Sequence, residues 1–186
     1  MLAEWAKERF DATVEWLPFD LHPEYPPEGI PREQLVARYG ADGMARTRAF
    51  FEQHGLEYNP NPDVVPNTML ALRLTEHART QGLHEPFHNR LMEAYWTEAQ
   101  NIGDPEVLRA LAAEVGVEGA EDVLATDAYA DVVLQSTAEA HAMGINGIPA
   151  FLLDRKLLVL GAHPKSTFEQ AFEQLEGAGS QSAPSQ

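Results

Sequence analysis

Apolar residues recur along this chain at two periods. Leu70, Leu74 and Ala78 fall four apart, and Phe87, Leu91, Tyr95 and Trp96 keep a helical spacing beyond Gly82. Such spacing gathers each set on one helical face, with core packing as its first explanation. Phe168, Phe172 and Leu175 do the same within a final helix expected over 163–177. The stretch "AFLLDRKLLVLGA" (150–162) instead predicts two short strands turning at Asp154, Arg155 and Lys156. A further strand is predicted over 12–17, where Thr13, Val14 and Trp16 favour extended backbone before Pro18 and Pro23 stop it.

Start and stop signals fill in the middle of the chain. Pro31 suits a first helical position, and Leu35, Val36 and Tyr39 give a short apolar face that ends at Gly40. A second helical segment covers 43–54 and closes at Gly55, and "NPNPDVVPN" (59–67) reads as a loop. Helices follow around 86–100, 105–115 and 128–143. The second of these has Asp104 as N-cap and Pro105 at its first position; the third runs from Asp127 to Gly144. "LAEWAKERF" near the start is helical in composition but has no cap.

Composition narrows the function classes. The chain has 186 residues, 44% hydrophobic and 23% charged, which suits a water-soluble globular fold. A formal charge of −16 argues against nucleic acid and anionic membranes as partners, because phosphate binding needs a basic face. No stretch reaches the ~20 apolar residues of a membrane span, and the N-terminus has no secretory-signal pattern, so a cytoplasmic location is expected. The chain contains no cysteine. That excludes disulfides, thiolate metal sites and a cysteine nucleophile within these residues.

Two short motifs carry candidate chemistry. "HEPFH" (84–88) matches the H-E-x-x-H zinc pattern, which needs both imidazoles on one helical face. Pro86 disfavours helical backbone at Glu85, so the reading is a helix starting at Pro86, with His84 in a loop and no metal. His22, His54, His77, His141 and His163 show no ligand spacing. The second motif is "GINGIPAF" (144–151), a glycine-rich turn leading into an Ile-Pro bond and a strand. Such a loop looks built to face a reactive thiol.

The order of elements, together with "VEWLPFDLHPEYPPEGI", "PNTMLAL", "EAYWTEAQNIGDPEVLRALAAEVGV" and "AHAMGINGIPAFLLDRKLLVLGAHP", resembles the DsbA-like oxidoreductases of the FrnE type. The resemblance implies an α/β, thioredoxin-like fold carrying a large all-helical insertion. It assigns 1–30 and 144–176 to the thioredoxin-like part, 31–143 to the insertion and 177–186 to a disordered tail. It also implies a cis bond before Pro149, with Gly147, Ile148 and Pro149 binding substrate through the backbone. The first strand and the Cys-x-x-Cys motif of that family are not in this sequence.

Three readings stay open. In one, the gene product is longer than this chain and acts as a thiol–disulfide oxidoreductase. In another, it is a glutathione-dependent isomerase or transferase of the 2-hydroxychromene-2-carboxylate isomerase or kappa type. In the last, it is a non-catalytic module holding a peptide or thiol ligand. Expected partners are a thiol- or disulfide-bearing peptide or glutathione, with no other cofactor and with a homodimer as a candidate assembly.

Overall fold

The structure is a computed structural model that describes residues 2–180. Residues 18–137 form one unit, which is helical, and residues 2–17 with 138–180 form another, built on a hairpin.

In the helical unit the chain enters through a short antiparallel bridge, β1 (Ile30–Pro31) against β2 (Val64–Val65), with Ile30 opposite Val65. Gly29 precedes β1 at φ +80°, and a Cβ there would run into the Val65 carbonyl, so only glycine fits. The Pro-rich link before it belongs to this unit. The Asp20 N–H donates to Thr137 Oγ1 (2.9 Å), Ser136 Oγ to the Pro18 carbonyl (2.7 Å) and Asn67 Nδ2 to the Tyr25 carbonyl (2.7 Å).

Helix α2 (Arg32–Gln53) follows, with Pro31 as its cap residue rather than its first helical one. At Gly40 the backbone leaves helical geometry (φ 71°, ψ 167°), which is the break expected from the sequence. Helices α3 (Met69–Thr80), α4 (His84–Trp96), α5 (Pro105–Val115) and α6 (Ala120–Ala125) enclose one core, and α7 (Ala130–Ala142) contributes its residues up to Thr137 to this unit. Leu74, Phe87 and Leu108 are wholly buried in that core, each burial favouring the fold by about 1.5–3 kcal/mol. On the face expected to meet the core, Phe87 and Leu91 are buried while Tyr95 and Trp96 are half-buried, the latter beside Phe51 and Tyr58.

Two local expectations meet different fates here, and one helix comes without an expectation. Helix α5 starts as expected, with the Asp104 side chain accepting from the Glu106 N–H (2.8 Å) and Pro105 inside the first turn. Helix α4 starts at His84, not Pro86. A proline in the first turn gives up only an N–H that has no intrahelical acceptor, so the helix tolerates it there. Helix α6 was not expected at all. It has no side-chain cap, but the buried Arg73 of α3 donates to the carbonyls of Val123 (2.6 Å), Thr126 and Ala128 (2.8 Å). Those carbonyls lie at the end of α6 and in the turn after it, where a cation is favoured.

The hairpin unit contains α1 (Leu2–Phe10), the antiparallel pair β3 (Ala150–Leu153) and β4 (Leu157–Leu160), and α8 (Lys165–Ser180). Val159, Phe168 and Ala171 are its buried cluster, with Trp5, Phe151 and Phe172 packed around them. Asp154 and Arg155 both take positive φ (48° and 55°), and the Lys156 N–H bonds the Leu153 carbonyl (3.0 Å). That is the tight turn expected at this place, of the type whose twist matches the strands it joins.

The strand expected over 12–17 is not formed: residues 11–20 have no regular secondary structure, and Trp16 and Leu17 are exposed. Among the described residues β3 pairs with β4 alone. A strand exists through its ladder of hydrogen bonds, so a favourable residue run stays irregular without a neighbour to pair with. The expected disordered tail is also corrected in part. Helix α8 runs on through Ser180, so 177–180 are helical, while 181–186 lie outside the described residues. Among the described residues no helix is long and apolar enough to cross a membrane.

Candidate functional site

The loop from Gly144 to Pro149 is set by how α7 ends. Gly144 sits at φ +82° and its N–H bonds the His141 carbonyl (2.9 Å), while the Ile145 N–H reaches back to Ala140 (3.0 Å). This paired closure is the Schellman motif, and glycine bears the left-handed residue it requires. Ile145 then turns inward and is buried, which leaves the next residues to run outward. Asn146 Nδ2 donates to the Gly144 carbonyl (3.2 Å) and tightens the turn.

The Ile148–Pro149 peptide bond is cis. The Pro149 carbonyl accepts from the Gly161 N–H (2.8 Å), so the proline is fastened to the far end of the hairpin. Register explains the meeting, since Ala150 pairs with Leu160 and the residues just beyond that pair must be neighbours. The Ile148 side chain is 57% exposed, and its backbone N–H and carbonyl have no hydrogen-bond partner among the described residues.

A shallow depression of about 460 Å³ opens here, lined by Gly144, Asn146, Gly147, Ile148, Pro149, Leu160 and Gly161. Nothing in that lining ionises. The structure thus sets the three residues expected from the sequence, Gly147, Ile148 and Pro149, on the rim of one concavity. Leu160 and Gly161 were not expected, although counting forward from the turn at 154–156 places them opposite Ala150 and Pro149. Chemically, the lining offers free backbone groups and apolar surface, and the His163 ring stands at its edge with Nε2 at the Leu160 carbonyl (2.8 Å).

A larger groove of about 600 Å³ in the same unit lies between α1 and α8. Glu8, Asp11, Glu169, Glu173 and Glu176 dominate its lining. It shares none of the loop residues, and Arg9 sets a cation among its carboxylates.

In the helical unit the HEPFH stretch is rearranged relative to expectation. With α4 starting at His84, both histidines share one helical face, their rings parallel (3°) with centroids 6.0 Å apart. Both are half-buried, whereas His84 was expected in a loop and His88 at the surface. Burial lowers the pKa of each ring. Among the described residues no group of three or more His, Cys, Asp or Glu side chains could hold a metal ion.

Comparison with known proteins adds to this geometry. The profile of the family described as DSBA-like thioredoxin domain matches residues 1–173. The chain is 33% identical over 165 residues to the uncharacterized protein YwbO of Bacillus subtilis (strain 168), an alignment covering 87% of this chain and 81% of that one. A probable DsbA oxidoreductase from Streptomyces coelicolor, known from its crystal structure, superposes with a TM-score of 0.84 at 29% identity, over 100% of this chain and 85% of that one. A putative protein disulfide isomerase from Nitrosomonas europaea shares the fold, with a TM-score of 0.73 at 17% identity over 95% of this chain and 89% of its own.

Proposed function

This chain belongs to the DSBA-like thioredoxin domain family, and from that premise we propose that it is the substrate-docking portion of a thiol–disulfide oxidoreductase. In this reading Gly147, Ile148 and Pro149 hold an extended, cysteine-bearing segment of a partner protein. The free N–H and carbonyl of Ile148 pair with the segment's backbone as an added strand would, and its side chains rest on the depression edged by Leu160. The observation that carries the proposal is the conjunction at Ile148 of unused backbone groups with an uncharged concavity.

The thiols of the exchange are not among these 186 residues, since none is cysteine. Disulfide exchange requires a thiolate that attacks one sulfur of the substrate disulfide, forms a mixed disulfide and expels the other sulfur as thiolate. We place that thiolate on a longer product of the same gene, at the start of a helix that follows a strand joining the open edge of β3. The 186-residue chain by itself then binds without exchanging.

The character of the lining favours peptide over glutathione. Glutathione carries two carboxylates, and neither would find a cation among the residues around Ile148. A chain of formal charge −16 adds repulsion to that deficit.

The test uses a peptide of about ten residues with its single cysteine S-methylated, titrated into the chain and followed by amide NMR. Shifts should centre on Gly147, Ile148 and Gly161, and Ile148→Asp should weaken binding at least about tenfold by setting a charge in an otherwise uncharged contact. Insulin reduction should stay at the buffer blank. Shifts centred away from the loop, or equal binding by the variant, would reject the docking role. Cysteine-free coding sequence upstream of the first codon would reject the placement of the thiols but leave docking intact.

A further inference from the structure

The histidines of α4 take no part in the docking loop, and their surroundings share one property. His84 and His88 stand one turn apart with their rings face to face, 6.0 Å between centroids. Phe87, between them in sequence, is wholly buried and anchors this turn in the core of the helical unit. The corner that precedes them is tight, with the Gly82 N–H bonding Arg79 (3.1 Å) and the Leu83 N–H bonding Ala78 (2.9 Å). The Phe87 N–H returns to the Leu83 carbonyl (3.0 Å) and closes the first turn of α4.

Positive charge is opposed here by burial, and at His84 also by Arg79 and the second ring. The pair lies at the start of a helix, where the dipole repels cations. From α3 come Arg79 and Glu76, and the two oxygens of Glu76 are both engaged by the Arg79 guanidinium (2.9 and 3.1 Å). On α4 itself stand Glu85 and Arg90, and Arg90 is held by Glu98 (2.9 Å) and by Glu114 of α5 (2.6 Å). The carboxylates of Glu76 and Glu85 offset only part of the cost.

We propose that His84 and His88 form an acid-sensitive latch at the α3–α4 corner, closed while both rings are neutral and opened when both take up protons. Geometry supplies the cooperation, since two imidazolium ions cannot stay stacked in a half-buried position beside Arg79 without mutual repulsion. Burial is the leading cause that holds both rings below the ordinary histidine value, with Arg79 adding to it at His84. A folded-state value below the unfolded one, about 6.5, means that the unfolded chain binds more protons in the interval. The stability contributed by the pair is therefore full above about pH 6.5 and is lost as pH falls through the folded value.

The test compares urea unfolding of the wild-type chain and His84→Gln/His88→Gln between pH 7.5 and 5.0. The wild-type unfolding constant should rise more steeply than that of the variant, by up to about tenfold per pH unit for each imidazole. Equal slopes would overturn the latch. Hydrogen exchange localises the event: on acidification the Leu83 and Phe87 amides should speed up ahead of the Leu111 amide in the core of α5, and uniform acceleration would reject a local opening. Should the double variant fail to fold at pH 7.5, histidine C2–H titration of the wild-type chain decides. Midpoints below the ordinary range for both rings support the latch, and a midpoint at or above that range for either one overturns it.

Discussion

The helical unit gathers thirteen buried residues into one cluster, contributed by four successive helices and the turns between them. Among the described residues the hairpin unit has a cluster of three, Val159, Phe168 and Ala171, and fills out around it with half-covered aromatic rings such as Trp5 and Phe172. The contrast has a physical origin. A helix satisfies its backbone within itself and needs only a face to bury, so α3 to α6 complete one another over a short span of sequence. A sheet satisfies its backbone only through neighbours, and β3 has one neighbour among the described residues. An isolated two-stranded hairpin is marginal in water, and packing against α1 and α8 is what this one relies on.

The largest test of that contrast is a pair of truncations read by separate probes. Phe87→Ala should cost about 3–5 kcal/mol, against a total of about 5–15 for a typical domain, and should lower the melting of the helical unit most of all. Phe168→Ala removes the largest buried side chain of the hairpin unit and should release that unit while leaving the helical transition near its wild-type temperature. Trp96 lies in the helical unit and Trp5 in the hairpin unit, so variants keeping only one of the three tryptophans, Trp96 or Trp5, report each unit by fluorescence. Coincident transitions in both truncations would mean that the units unfold as one, and the contrast would fail.

A smaller effect bears on why the helical unit closes. Arg73→Met keeps much of the side-chain volume but withdraws the donor from the carbonyls of Val123, Thr126 and Ala128. Bonds from a charged group contribute about 1.5–3 kcal/mol, and a loss of that size in urea unfolding is expected, with faster exchange confined to α6. A loss below about 0.5 kcal/mol would show that α6 holds by packing alone.

The same contrast governs what could be read in advance. Helix α5 was legible because its signals are local: Asp104 and Pro105 open it and Gly116 closes it in left-handed geometry. The hairpin turn was legible for the same reason. Helix α6 was not, since its support comes from Arg73, some fifty residues away in sequence. The start of α4 is hidden in the sequence because Pro86 carries a breaker's signal, and in a first turn it breaks nothing. The strand at 12–17 failed in the opposite sense: its residues favour extension, but no local signal reports whether a partner strand exists. As for the site, Gly147, Ile148 and Pro149 came from the family resemblance, and the contribution of Leu160 and Gly161 needed the hairpin register.

The smallest expected effect sits where the helical unit begins, at Asp20. Asp20 is buried, and its Oδ1 accepts from the His22 N–H (3.3 Å) while its own N–H ties the link to Thr137. Burial raises its pKa, and the hydrogen bond from His22 recovers only part of that. For an acid with a raised value, the folded chain binds more protons than the unfolded chain over the interval. The ionised form is thus penalised in the fold, and stability falls as pH rises through that interval rather than growing. Asp20→Asn keeps the oxygen that His22 uses and removes the charge. The variant should therefore match the wild-type chain near pH 3.5 and exceed it at pH 7, by an amount within about 1 kcal/mol. Urea unfolding at the two pH values measures it. A variant less stable than wild type at pH 7 would show that the buried carboxylate is welcomed by partners in the fold, and that the seam between the link and α7 depends on its charge.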